Sequence, residues 1–178
     1  MRLLFVWLPV LAWACSNSDE KLQQFVAGKE MQQETGRDVT LIYSDSAVIK
    51  VRITAPLLVR TSGENPVTDM PEGIRALFFD ANGRQNSILT ANRAVQYPNK
   101  GLMEAHGNVV VVNEAGDTMY TEKLIWEEKA ERIYTDQYVR IIRPDEIIYG
   151  DGMESNQNFT KYKILNIRGT IALNEEVE

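Results

Sequence analysis

The chain has very little of the residue types that carry most metal and redox chemistry. Its 178 residues include one cysteine and one histidine. The single cysteine, Cys15, excludes an internal disulfide. The single histidine, His106, has no partner at the spacing of a histidine-based zinc site, so the sequence predicts no resident metal and no cofactor.

Motifs for covalent and nucleotide chemistry are also missing. No serine lies in a Gly-x-Ser-x-Gly elbow. Gly150-Asp151-Gly152 lacks the third glycine and the following helix of a phosphate-binding loop, so it indicates a turn. A hydrolase would have to depend on His106, which needs an oriented carboxylate to act as a base. We therefore predict a binding protein and not an enzyme.

Positive charge is scarce. The chain has 19 Lys and Arg residues against 25 Asp and Glu residues, a net charge of −6. A nucleic-acid partner needs a basic face to meet its phosphates. The charge balance therefore argues against nucleic-acid binding.

Long hydrophobic runs are confined to the N-terminus. Arg2 precedes an apolar run at residues 3–11 and three further residues before Cys15. This order predicts a signal peptide over residues 1–14, and the run is too short to span a bilayer as a helix. Ala14-Cys15 resembles the lipobox of bacterial lipoproteins, which implies acylation of Cys15 and a membrane anchor. A plain secretory signal with an incidental cysteine is the alternative.

Composition divides the rest of the chain into three parts. The polar stretch from residue 15 to residue 38 predicts a lipid-anchored, flexible tether. Residues 39–173 show strand and turn patterns and are predicted to form the folded, lipid-binding domain. Residues 174–178 are an acidic tail.

The folded part has the period of β-strands. Alternating apolar and polar residues at 47–54 predict a strand, and Pro56 should end it or place it at a sheet edge. Residues 61–71 are rich in Gly, Asn and Pro and predict a loop. Asn82-Gly83 predicts a tight hairpin turn. No window outside the tether has a helical period.

A pattern of strands and turns recurs about every thirty residues between residues 105 and 173. Such a repeat stacks strand pairs into an elongated β structure, so we predict an all-β sandwich or partly open roll. Matching apolar positions define an inward face that forms either a solid core or a groove for acyl chains. The candidate lipid-binding residues are Val51, Ile53, Phe78, Val109, Val111, Leu124, Trp126, Val139, Ile141, Ile167 and Ile171.

The ends of the sheet are candidate partner interfaces, because an edge strand pairs readily with another chain. The predicted edges are the first strand, over residues 40–43 or 46–53, and the last strand, over residues 162–173. Glycines that begin or end strands of the repeat could allow a close backbone approach. The candidate partner residues are Gly107, Gly150, Ile164, Ile167 and Leu173.

Several motifs resemble the lipopolysaccharide-export protein C (LptC) family over about residues 39–173. The resemblance rests on the segments 43–46, 50–56, 70–74, 89–94, 105–111, 116–126 and 133–136. Asp45-Ser46 followed by Ala55-Pro56, and Pro71-Glu72-Gly73-Ile74, are the sharper of these motifs. Gly107-Asn108-Val109 with Thr121-x-x-Leu124 is shared with related periplasmic bridge proteins.

The resemblance implies a fold, a cargo and partners. The fold is an open, twisted β-jellyroll that sits in the periplasm beside an inner-membrane ABC transporter. It accepts lipopolysaccharide from the transporter and passes it to a bridge protein of the same fold, without catalysing a chemical step. Many members carry a transmembrane helix where this chain has the lipobox-like Cys15, which favours a lipoprotein on the inner membrane over the outer. A scaffold that joins envelope β proteins by edge-strand pairing, and carries no lipid, is the alternative.

Overall fold

The computed structural model describes residues 33–173, which form twelve strands of one antiparallel sheet. Among these residues the only helix is the 3₁₀ turn Pro98–Lys100, and no helix there is long and apolar enough to cross a membrane. The all-β prediction is confirmed. The strands are β1 (Gln33–Asp45), β2 (Val48–Thr61), β3 (Val67–Met70), β4 (Ile74–Phe79), β5 (Gln85–Ala91), β6 (Arg93–Tyr97), β7 (Leu102–Asn113), β8 (Thr118–Glu127), β9 (Arg132–Ile142), β10 (Glu146–Asn156), β11 (Tyr162–Ile164) and β12 (Ile167–Ala172).

The strands follow one another as a simple meander. β3 and β4 both pair with β2, while β5 and β6 both pair with β7, and β11 and β12 both pair with β10. Each of these pairs is therefore one long strand broken near its middle. β1 pairs with β2 alone and β12 pairs with β10 alone, so within the described residues the sheet keeps two unpaired ends.

Breaks near the middle of the strands bend the sheet along its whole width. Register shifts occur in β7 between His106 and Val109, and in β10 between Asp151 and Met153. Gly107 and Gly152 have φ angles of 71° and 104°, which a residue with a Cβ rarely adopts. β-bulges of this kind bend a strand and increase its twist. The aligned breaks let the two halves of the sheet fold over one inner face.

The strand boundaries differ from the sequence predictions at three places. β2 continues through Pro56 to Thr61, because Pro56 lies between the residues that pair with β4 and those that pair with β3. On its other side Pro56 lies opposite Asp38, and the β1–β2 pairing skips both residues. No hydrogen bond of the ladder therefore requires the backbone N–H that proline lacks. The predicted loop at 61–71 contains β3, and β1 begins at Gln33, six residues before the predicted start of the domain.

The inner face closes on itself as a roll. Tyr43 of β1 and Trp126 of β8 make an edge-to-face contact with 5.1 Å between ring centroids, although β2, β4, β5 and β7 separate these strands in the sheet. Phe78 of β4 meets Phe159 with 5.3 Å between centroids. One hydrophobic core therefore runs through the described domain.

Candidate functional site

Most of the predicted lipid-binding side chains lie together on the inner face. Alternation along the strands directs them inward, and each is at most 7% exposed. They are Val51, Ile53, Phe78, Val109, Val111, Leu124, Trp126, Val139 and Ile141. The structure therefore brings residues from β2, β4, β7, β8 and β9 into one apolar interior.

Two of the predicted inward residues are on the outside. Ile167 is 61% exposed and Ile171 is 51% exposed. Ile171 pairs with Ile147, and Ile147 pairs with Ile142 on β9. The inward residue of β9 is the neighbouring Ile141, so Ile171 lies on the outward face. A register shift between Tyr149 and Gly150 interrupts the alternation between Ile167 and Ile171. The faces of these two residues therefore do not follow from the spacing of the repeat. Ile167 belongs to the edge strand, which no further strand covers in the described domain.

The interior is filled by its own side chains. One cavity of about 30 Å³ lies among Val51, Phe78, Leu124, Trp126 and their neighbours. A second of about 20 Å³ lies between β7, β8, β9 and Phe159. Each is large enough for about one water molecule and far too small for an acyl chain. In this conformation the inner face therefore forms a packed core and not a groove.

The edge of β1 and the end of β8 form a polar mouth over this interior. A hollow of about 330 Å³ opens here to solvent, lined by Tyr43, Ser44, Asp45, Lys50, Trp126, Glu128, Lys129, Glu131 and Gln157. Burial, with the nearby Glu128 carboxylate, raises the pKa of the Tyr43 hydroxyl to about 12. Tyr43 therefore stays neutral as it covers the Trp126 ring.

The predicted partner glycines have contacts inside the protein. A Cβ on Gly107 would lie 3.2 Å from Asn92 Nδ2 in the neighbouring turn. A Cβ on Gly150 would clash with Ile164 Cγ2 and lie 2.8 Å from the Leu165 carbonyl oxygen. Both glycines allow close approach, but the approaching backbone and side chains belong to this chain. No partner is needed to explain either glycine.

The other partner candidates lie at the C-terminal edge. Ile164 is partly buried against the core. Ile167 and Leu173 are exposed, the latter by 41%. Ile42 on β1, at the opposite edge, is 55% exposed. Both sheet ends therefore present unpaired backbone together with an exposed aliphatic side chain.

A hydrogen-bonded cluster fastens β11 to the rest of the roll. The Tyr162 hydroxyl accepts from Arg143 Nε at 2.9 Å and donates to Asp117 Oδ2 at 2.9 Å. Burial is the main cause that raises the pKa of Tyr162. The cluster links the turn before β8, the turn after β9 and the start of β11.

His106 lies beside a carboxylate on its own strand. Its Nε2 lies 3.0 Å from Glu104 Oε2, and Lys123 Nζ lies 3.2 Å from the other oxygen of that carboxylate. Glu104 and His106 lie on β7 and Lys123 on the neighbouring β8, and the three side chains are only 21–36% exposed. Residues 33–173 contain no group of three or more metal-ligating side chains.

The sequence prediction missed several interior residues. Tyr43 lies in a predicted edge strand and has no predicted role, yet it covers Trp126. Met103, Met119, Ile133 and Met153 are at most 6% exposed and follow the same alternation, which is a usable signal. Phe159 lies in a turn with φ of 53°, and no period marks it. Cys15 lies outside the described residues, as do the predicted signal peptide and the acidic tail.

Comparison with known proteins gives a family and a structural likeness of low similarity. A comparison with curated protein sequences finds no match. Among solved structures, the chain is similar to "Crystal structure of LptH, the LptA homologous periplasmic component of the conserved lipopolysaccharide transport device from Pseudomonas aeruginosa". That protein is 12% identical, with 82% of this chain and 96% of that chain covered, at a TM-score of 0.28.

The family model described as "Lipopolysaccharide-assembly, LptC-related" matches residues 4–172. This match covers nearly the whole chain and agrees with the prediction of a protein that is not an enzyme. The chain belongs to the LptC-related family of lipopolysaccharide-assembly proteins.

Proposed function

We propose that the protein is a periplasmic carrier in lipopolysaccharide transport. It accepts lipopolysaccharide from an inner-membrane ABC transporter and passes it to a bridge protein of the same fold. The observation that carries this proposal is the continuous apolar inner face, which runs between two unpaired sheet ends in a chain of this family. The acyl chains occupy the inner face, and the sugars remain in solvent.

Lipid admission requires the roll to open, because the interior cavities are far smaller than a hydrocarbon chain. The seam between β1 and β8 is the place for this opening, since no ladder bonds join these strands. Separating Tyr43 from Trp126 exposes apolar surface that the acyl chains then cover. Each methylene removed from water contributes about 0.8 kcal/mol, so a bound chain offsets the side-chain packing that opening disrupts.

The unpaired sheet ends are the proposed partner surfaces. Backbone groups of β1 and of β12 can each extend a neighbouring sheet by strand addition. Exposed Ile42 on one side, and Ile167 with Leu173 on the other, add apolar contacts to such a junction. A junction at either end would align the inner faces of successive rolls into one path for the lipid.

The anchor is a separate part of the proposal. The lipobox-like sequence at Cys15 supports acylation, and acyl chains would hold the protein on the inner membrane beside the transporter. A Cys15→Ala variant should then leave the washed membrane fraction. Retention of this variant in the membranes, in cells that lack its partners, would contradict the anchor without affecting the carrier function.

Photo-crosslinking tests the cargo and its location. A photoreactive amino acid at Val109 or Ile141, which face inward, should capture lipopolysaccharide in cells with an active transporter. The matched controls are the neighbouring Val110 and Arg140, which face outward and should capture little. Capture from the outward pair alone would contradict transport through the interior.

The scaffold alternative is favoured by the same exposed edges. It predicts that no interior position captures lipid, while complexes with envelope β proteins still form. Recovery of such complexes by a variant that binds no lipid would support the scaffold and not the carrier.

A further inference from the structure

The indole N–H of Trp126 is a buried donor without an acceptor. The side chain is 7% exposed, and Nε1 makes no hydrogen bond with any group of residues 33–173. A buried polar group left unpaired costs about 1–3 kcal/mol, so native proteins keep few of them. Its neighbour in the alternation, Leu124, fills an equivalent inward position with no polar atom.

The position of Trp126 distinguishes it from the other core residues. Its ring lines both the apolar interior cavity and the polar mouth hollow. The other residues around the interior cavity are aliphatic, Met or Phe. The mouth hollow is lined by ammonium, carboxylate, hydroxyl and amide groups. The Trp126 side chain therefore lies between an apolar cavity and a polar, solvent-open hollow.

A water in the interior cavity is a poor explanation for this donor. A buried water is held by two to four polar groups, and no other side chain around the interior cavity is polar. From the mouth side, the Tyr43 ring lies edge-to-face against the indole. Nε1 is buried in the closed roll, and displacement of the Tyr43 ring would open the Trp126 side chain toward the mouth.

We infer that Trp126 Nε1 is the hydrogen-bond donor for the carbonyl oxygen of a fatty-acyl ester or amide held at the mouth of the roll. In an acylated amphiphile, the linking carbonyl lies between the hydrocarbon chain and the polar headgroup. With the chain in the interior and the headgroup among the polar groups of the mouth hollow, this carbonyl comes to the level of Trp126. The inference rests on the proposed carrier function.

This assignment gives Tyr43 a complementary role. Tyr43 packs against the Trp126 ring in the empty roll, and its displacement would couple opening of the mouth to formation of the new hydrogen bond. The donor then favours acyl linkages over plain hydrocarbon chains. The selectivity comes from the chemistry of the linkage and not from chain length.

An ester and ether pair of lipids tests the inference directly. The probes are palmitoyl lysophosphatidylcholine and its hexadecyl ether analogue, which has no carbonyl, both below the concentration of micelle formation. The full chain is labelled with ¹⁵N-tryptophan, and the Trp126 signal is identified by its loss in Trp126→Phe. The ester should move the Trp126 indole proton downfield, and the ether should not.

Affinities provide the second readout. The wild-type protein should bind the ester roughly five- to tenfold more tightly than the ether, the effect of one hydrogen bond. Trp126→Phe keeps an aromatic ring and should bind both lipids equally. Tyr138→Phe, on a half-exposed ring outside the interior, is the matched control; it retains the Trp126 donor and should retain the preference. The spectroscopic comparison of ester and ether is made on the wild-type chain, and the assignment needs only the absence of the Trp126 signal, so this arm stands even if Trp126→Phe folds poorly.

Three results would overturn the inference. They are equal affinities for ester and ether in the wild type, a preference that survives in Trp126→Phe, or an indole proton already hydrogen-bonded before lipid is added. If neither probe binds while Val109 still crosslinks to lipopolysaccharide, the inference falls and the carrier function stands. If Val109 also captures no lipopolysaccharide, the carrier function falls with it.

Discussion

At the scale of single residues, Gly150 shows how closely this fold is packed. It lies on β10, where the turn between β11 and β12 passes directly over the strand. Asp151 N, next to it, donates to the Leu165 carbonyl oxygen at 3.0 Å. Glycine is needed here for space, because its φ is outside the left-handed region.

Replacing Gly150 with alanine should destabilise the domain by about 1–3 kcal/mol. The added Cβ would clash with Ile164 Cγ2 and meet a backbone oxygen at 2.8 Å, so the chain must shift. The midpoint of urea unfolding measures the loss. Gly169→Ala is the matched control, since a Cβ there meets nothing within 4 Å. Equal midpoints for the two variants would show that Gly150 is not constrained by internal packing.

Side-chain direction is predictable wherever the alternation of a strand is regular. Val109 and Val111 on β7, and Val139 and Ile141 on β9, are all inward as their spacing indicates. The inward direction predicted for Ile171 is wrong because the register shift between Tyr149 and Gly150 moves the alternation by one residue. Such a shift depends on close packing between distant residues, which no local pattern records.

At the scale of elements, the two terminal strands are held in different ways. β1 is long, and its Val39, Leu41 and Tyr43 pack against the core. β11 has three residues, pairs with β10, and is joined to two neighbouring turns by the Tyr162 cluster with Arg143 and Asp117. A short edge strand of this kind is expected to open first when the roll is perturbed.

Tyr162→Phe should loosen β11 while the rest of the roll stays folded. The variant loses a hydroxyl that accepts from Arg143 and donates to Asp117, and we expect a loss of about 1–2 kcal/mol. Amide hydrogen exchange should rise in Tyr162–Ile164 before other strands change. Tyr138→Phe, on a half-exposed ring, is the control and should exchange as the wild type does. Unchanged exchange in β11 would show that the cluster does not hold the strand.

Most strands could be predicted from turn residues and alternation, but their continuity could not. Pro56 predicts the end of a strand, yet β2 passes through it because both neighbouring ladders skip that position. The loop prediction over β3 is wrong for a similar reason, since Pro71 and Gly73 mark a break within one long strand. Only the pairing of neighbouring strands shows whether such residues end an element or bend it.

At the scale of the whole molecule, the described domain is a roll with open edges and a filled interior. Most of the candidate lining residues could be predicted as one apolar face, but whether this face encloses a groove could not. That depends on how closely the two halves of the sheet approach, and here they leave only cavities of about 20 and 30 Å³. A carrier built this way must exchange internal contacts for contacts with its cargo.

The central claim is that acyl chains occupy the interior by parting the seam between β1 and β8. Spin labels on the exposed Ile42 of β1 and Lys129 after β8 report this seam, in a chain with Cys15→Ser. A second labelled pair, Val112 and Arg140, lies within the continuous sheet and is the control. Pulsed electron-spin distance measurements with bound lipopolysaccharide should show a longer distance for the seam pair alone. An unchanged seam distance at saturating lipopolysaccharide would contradict the account.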